Sequence, residues 1–275
     1  MSRTIRVCLT TILILLITLP AAAQDADPLE ELREQLEKLK ISGYIQAEYI
    51  EDERSIDETG GNRDEFRVRR GRIKFTYQAH PNARFVLQPD FSSSGVSLKD
   101  AYLELNETST GWGHTLTAGQ FKVPFGQEIG LSSSRREVPE RSRIIRQLFP
   151  GERDRGAQLS GELPAGWFNY SVGVFNGSGI DERRDIDSEK DLIGRIGFAL
   201  GQLAFGFSGY AGEELVETSS APAGEWFDKE RQGVDIEWKT PVDGLSLRAE
   251  YIEGEELGAD VDGWYVYLIQ SFLDR

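Results

Sequence analysis

The chain has 275 residues, with 31 lysines and arginines against 46 aspartates and glutamates, and a single cysteine, Cys8. A net charge of −15 argues against a generic nucleic-acid binder, whose affinity rests on neutralising backbone phosphates. One cysteine excludes an intrachain disulfide framework.

Arg3 and Arg6 form a short basic region, residues 7–19 are continuously apolar, and Pro20 ends the run before Ala21-Ala22-Ala23. This pattern reads as a secretory signal peptide over 1–23, too short and wrongly flanked for a membrane helix. Cys8 lies inside the apolar run without a lipobox, which disfavours a lipoprotein. Cleavage leaves about 250 residues, enough for one large β domain or two small ones. It also leaves 29 basic against 46 acidic residues, a net charge of −17. No later segment approaches about eighteen consecutive apolar residues, so any membrane crossing must use a closed strand barrel.

Pro28 opens a predicted helix over 29–40, with leucines at 29, 32, 36 and 39 and charges between them. The spacing fits a short coiled-coil seam assisted by a larger oligomer, and equally a solvated linker helix. From Ile41 onward the period changes to two. Ile41, Gly43, Ile45, Ala47 and Tyr49 alternate with polar neighbours, as do Ile73, Phe75, Tyr77 and Ala79. The same pattern recurs at Ala101 to Leu105, Leu203 to Gly209, Val234 to Trp238 and Leu245 to Tyr251. About twelve such segments are predicted, each about nine to eleven residues long, the length of a tilted membrane-spanning strand.

Tight turns are predicted at Pro81-Asn82, Pro164-Ala165-Gly166, Leu200-Gly201-Gln202 and Pro241-Val242-Asp243-Gly244, and long charged loops over 52–64, 176–190 and 212–231. Short turns at one end and long loops at the other suit an outer-membrane barrel. A soluble sandwich shares the period, but its dry core would not accept a fully charged strand face. Trp112, Trp167, Tyr170, Tyr210, Trp238, Tyr251 and Trp264 are expected near strand ends, as interfacial girdles. The fold class expected is all-β, an antiparallel transmembrane barrel with a short N-terminal helix.

Several segments carry a family resemblance. Gly119-Gln120-Phe121-Lys122-Val123-Pro124-Phe125-Gly126, Glu140-Arg141-Ser142, Arg153-Asp154-Arg155-Gly156 and Gly173-Val174-Phe175-Asn176-Gly177 follow one another. Asp191-Leu192-Ile193-Gly194-Arg195, Lys99-Asp100-Ala101-Tyr102 and the Arg69-Arg70-Gly71-Arg72 cluster add to them. Taken in order, these motifs resemble the phosphate-selective porin O and P family, from Ile41 to the end of the chain. The resemblance implies an outer-membrane homotrimer in contact with lipid, passing small anions such as phosphate. It also implies about sixteen strands, more than the pattern offers. The closing Phe272-Leu273-Asp274-Arg275 lacks a terminal aromatic; a shortened chain and a smaller, divergent barrel both fit. The expected organisation is a leader over 1–23, a periplasmic helix over 24–40 and a porin domain over 41–275.

A porin needs a constriction and a charge pattern rather than a catalyst. If Ile73, Phe75 and Tyr77 face lipid, parity turns Arg70, Arg72 and Lys74 into the lumen. Arg84 would join them from the next strand, and Gln120 and Lys122 would share the polar face of theirs. Such a ladder would give an anion successive weak sites, or be neutralised by Asp90, Asp100 and Glu104. The segment 127–155 is the longest between clear strands and holds Arg135, Arg136 and Arg141 among seven arginines. It is read either as an inward constriction loop whose guanidinium forks contact anions, or as an exposed loop of paired charges. His80 and His114 sit near no nucleophile, and Gly177-Ser178-Gly179 lacks a following Lys-Ser, so no enzyme is expected. Asp181, Glu182, Asp185 and Asp187 fit no calcium-loop spacing; no metal or cofactor is expected.

Overall fold

The computed structural model describes residues 28–56, 62–93, 95–180, 189–216 and 224–272. The leader, the centres of the three long loops with their four acidic candidates, and residues 273–275 lie outside them. Helix α1 spans Pro28–Glu37. It ends earlier than Lys40 because Leu39 and Lys40 join the first strand. Leu29, Leu32 and Leu36 are exposed on it, and Arg33 pairs with Glu37 one turn on, at 3.3 Å.

Twelve strands follow: β1 (Leu39–Ile56), β2 (Asn62–His80), β3 (Ala83–Ser92), β4 (Gly95–Asn106), β5 (Thr115–Lys122) and β6 (Arg153–Glu162), then β7 (Phe168–Phe175), β8 (Asp191–Leu200), β9 (Leu203–Val216), β10 (Glu225–Lys239), β11 (Leu245–Glu256) and β12 (Ala259–Gln270). They form one sheet in chain order, and the pairings of β2 through β12 are all antiparallel. Among the described residues, the longest connection is the segment 123–152 between β5 and β6.

Side-chain alternation sets the two faces. Leu192 and Ile196, Phe207, Val234 and Ile236, Tyr251, and Trp264, Val266 and Leu268 stand exposed on one face of β8–β12. Asp191, Ile193, Tyr210, Lys229, Arg231, Asp235, Arg248 and Glu250 are buried on the other. An apolar outer face over a polar inner one is the pattern of a barrel wall that faces lipid outside and encloses polar groups within. The outer boundary is sharp in the register. Val234, Tyr251 and Trp264 lie in one cross-strand row, and Gln232, Glu253 and Asp262 form the row beyond it toward the loops.

The strands on the loop side are longer than periodicity suggested, with 18 residues in β1 and 19 in β2. Much of the expected loops 52–64 and 212–231 is strand. Backbone pairing needs no lipid, so a ladder continues into water wherever cross-strand charges agree. Just below this extension Glu48 receives Arg67 and Arg69, both at 2.6 Å. Tyr210 departs from the expected girdle: it is buried on the inner face beneath Arg231, whose guanidinium carbon lies 4.6 Å from the ring centroid.

Candidate functional site

The segment 123–152 turns inward rather than outward. On one side, Gln46 of β1 donates to the Ser133 carbonyl at 3.1 Å, and Arg69 of β2 pairs with Glu140. On the other, Gly126 N–H donates to the Ser208 hydroxyl of β9 at 2.9 Å, and Glu128 N–H to the Glu250 carboxylate of β11 at 3.2 Å. Arg248 of β11 reaches Glu137 at 2.9 Å. A segment that touches the first two strands and the last four lies inside the curve of the sheet.

Two glycines permit this approach. Gly126 has φ +59°, and a Cβ there would overlap the Glu250 carboxylate. A Cβ at Gly263 of β12 would stand 2.9 Å from Ile144 Cβ. Ile144 belongs to helix α2 (Arg143–Leu148), whose apolar side is buried with Ile145 and Leu148. These residues join Phe125, Ile129 and Phe149 of the segment and Phe175, Ile193, Tyr210 and Ile252 of the wall in one buried cluster. The interior beside β7–β12 is therefore filled by the segment, with an apolar cluster packed among the buried charges of the inner face. Sequence parity could not show this, because apolar residues on the inner face become favourable only once the segment covers them.

The opposite side, between the segment and β2–β6, keeps a polar cavity of about 310 Å³. Arg72, Lys74, Lys122, Arg135 and Arg153 line it, with Asp100 and Glu104 as its carboxylates. The pairing is uneven. Asp90 is bound by Arg72 at 2.8 Å, Asp100 by Arg153 at 2.8 Å, and Glu104 by Arg84. Among the described residues, Lys74, Lys122 and Arg135 have no carboxylate partner. The Lys122 ammonium donates to the Gly130 and Leu131 carbonyls, at 3.2 and 2.6 Å. The cavity thus presents Lys74 and Arg135 as cations without a carboxylate partner, with the Lys122 amine held by backbone carbonyls beside them, and the neutralising carboxylates weighed in the sequence are already occupied.

The remaining sequence candidates lie elsewhere. Arg70 donates to Gln46 at 2.8 Å and lies near Glu140. Arg84, half-exposed, stays with Glu104 on the turn side of the sheet. Arg136 donates to the Pro139 carbonyl at 3.2 Å. Burial, then the charges of Arg141 and Arg70, lower its guanidinium to about 10, so it remains charged at neutral pH. Arg141 is buried and braces the segment, donating to the Glu128 and Leu131 carbonyls and pairing with Glu152 at 2.8 Å. Gln120 lies opposite the enclosed face, which Phe121 takes instead; it donates to the Leu98 carbonyl at 2.7 Å. His114 meets the Tyr170 hydroxyl at 2.8 Å and stacks on Trp112, while His80 accepts from the Asn82 N–H at 3.2 Å.

Arg141 and Glu152 give the segment an acid-sensitive brace. Burial raises the Glu152 carboxyl, but the Arg141 hydrogen bond and the charges of Arg141, Arg153 and Lys122 outweigh it and bring it down to about 2. A folded-state value below the ordinary one stabilises above the unfolded value of 4.5 and loses that contribution as pH falls toward 2. The contribution of this pair to current noise is therefore expected to appear as pH falls from about 4.5 toward 2 and the segment loosens. Recordings across that range check this; noise that first changes near neutrality would assign the sensitivity to another group.

The family model for phosphate-selective porin O and P matches residues 39–214. No curated protein matches the chain. Among solved structures, the chain is similar to an anion-selective porin from Comamonas acidovorans, at 14% identity and a TM-score of 0.50, over 82% of this chain and 70% of that one. It is also similar to OmpT, an outer membrane protein of Vibrio cholerae solved in trimer form, at 13% identity and a TM-score of 0.39, over 84% of this chain and 82% of that one. At such identities the first likeness speaks for the porin fold.

Proposed function

The chain belongs to the phosphate-selective porin O and P family, and we propose on that premise that it is an anion-preferring outer-membrane porin whose constriction is the segment 123–152. The observation that carries the reading is the cavity beside that segment. Lys74, Lys122 and Arg135 line it without carboxylate partners, while Asp100 and Glu104 are held by arginines. Small hydrophilic anions, phosphate among them, diffuse along this side of the lumen, drawn by a focused positive field and released because no single site is a closed cage. Arg70, Arg136 and Arg141 shape the segment and extend the field. The anion selectivity of the Comamonas acidovorans porin, a structural neighbour, agrees with this assignment.

Residues 1–23 act in this reading as the export leader, and helix α1 (Pro28–Glu37) as a periplasmic element. The lipid-facing barrel assembles as a homotrimer in the outer membrane. The buried apolar cluster favours a second reading, a plugged barrel that holds a partner.

Planar-bilayer recording separates the two. Steady single-channel conductance, an anion-directed reversal potential in a chloride gradient and block by added inorganic phosphate are the expected results. A cation-directed potential discards the anion path, and silence from correctly folded protein supports the plug.

A further inference from the structure

We infer that Ser133 is a positioning residue: its hydroxyl latches the inward segment to β1 and β2 and so sets Arg135 in the basic cavity. The inference rests on the anion-channel reading and names a device that serves it. Ser133 is buried, within a Ser132-Ser133-Ser134 run that leads directly into Arg135. Its Oγ lies 2.6 Å from the Tyr44 hydroxyl of β1 and 2.6 Å from Arg72 Nη1 of β2. Its carbonyl accepts from Gln46 of β1. Both hydrogen bonds from β1 to the segment therefore end on this one residue, among the described residues.

The wall side of the latch is rigid. Arg72 has only donors; its Nε is held by Asp90 at 2.8 Å while its Nη1 reaches the serine. A hydroxyl can accept from Arg72 and still share a hydrogen bond with Tyr44, whereas alanine can do neither. Immediately after the latch, Arg135 and Arg136 N–H both donate to the Ser132 carbonyl, at 2.9 and 3.1 Å. This turn sends Arg135 to the cavity and leaves Arg136 against Pro139. Arg72, an anion-contact candidate by parity, therefore serves through Ser133 as well as by its charge. Arg135 has no partner of its own among the described residues, so its place in the cavity depends on the backbone that Ser133 fixes.

The test uses full-length protein in planar bilayers, with inorganic phosphate as blocker and reversal potential as the second readout. Ser133→Ala is expected to raise the half-blocking phosphate concentration about fivefold, or about 1 kcal/mol. Tyr44→Phe, which removes the partner hydroxyl from the other side, is expected to act in the same direction with a smaller shift. In an Arg135→Gln background Ser133→Ala should add nothing, because the residue it positions is gone. Wild-type block that Arg135→Gln relieves but Ser133→Ala and Tyr44→Phe leave unchanged overturns the latch alone. A full Ser133→Ala shift in the Arg135→Gln background also overturns it. Absence of wild-type block and of anion preference would remove the anion reading and the latch with it.

Discussion

Joint replacement of Lys74, Lys122 and Arg135 by glutamine is expected to abolish the anion preference, moving the reversal potential in a chloride gradient to zero or to the cation side. Lys74 and Arg135 line the cavity without a carboxylate partner, so removing either removes net charge rather than half of a pair, and removing Lys122 frees the two carbonyls it holds. At about 4 Å a unit charge contributes about 1 kcal/mol in water and about 4 kcal/mol in a medium of effective dielectric about 20. Two such groups, Lys74 and Arg135, around a cavity of about 310 Å³ already exceed the roughly 1.4 kcal/mol that corresponds to a tenfold selectivity ratio. With them gone, the carboxylate side chains Asp100 and Glu104 remain balanced by Arg153 and Arg84, which predicts a nearly neutral path. Anion selectivity that survives the triple replacement would transfer the preference to charges outside this cavity, with Arg70 and Arg136 next to be tested.

The second large effect concerns the side of the lumen that the segment fills. Phe125→Ala combined with Ile145→Ala is expected to raise single-channel conductance severalfold and to weaken selectivity. Both side chains are buried, and the Phe125 ring lies tilted against Phe149 at 4.7 Å between ring centroids. Truncation at buried positions costs about 3–5 kcal/mol for phenylalanine and about 2–5 kcal/mol for isoleucine. Each polar tie of the segment, such as Gly126 to Ser208, contributes only about 1 kcal/mol net. Apolar packing, more than any single hydrogen bond, therefore keeps the segment against β7–β12. Losing it should open that half of the lumen to water and ions. Unchanged conductance, with folding confirmed by a retained strand signal in circular dichroism, would show that the cluster does not limit the pore.

The strands were legible because a wall that faces lipid on one side and enclosed polar groups on the other imposes a period of two along each of them. Ile73, Phe75 and Tyr77 on the outer face implied Arg72 and Lys74 within, and both line the cavity. The parity argument weakened where the ladder is irregular. Arg69 and Arg70 are adjacent, yet both reach Glu140, and Phe121 took the enclosed position expected for Gln120. Strand ends were misjudged at β1, β2, β9 and β10, since charged residues that read as loop can equally pair across an extended hairpin.

Sequence alone determined the strand count, the order of tight turns and longer connections, the polar inner face and the presence of a long arginine-rich connection. Periodicity and turn chemistry are local, and each is written within about ten consecutive residues. Tertiary structure alone decided which charges are free. Whether Lys74 or Arg84 meets a carboxylate depends on neighbouring strands and on a segment some fifty residues away, as does the burial of Phe125, Ile145 and Phe175 inside the barrel. The inward fold of 123–152 divides the lumen into a filled side and a basic cavity. That division arises from contacts between residues far apart in the chain, which no local pattern encodes.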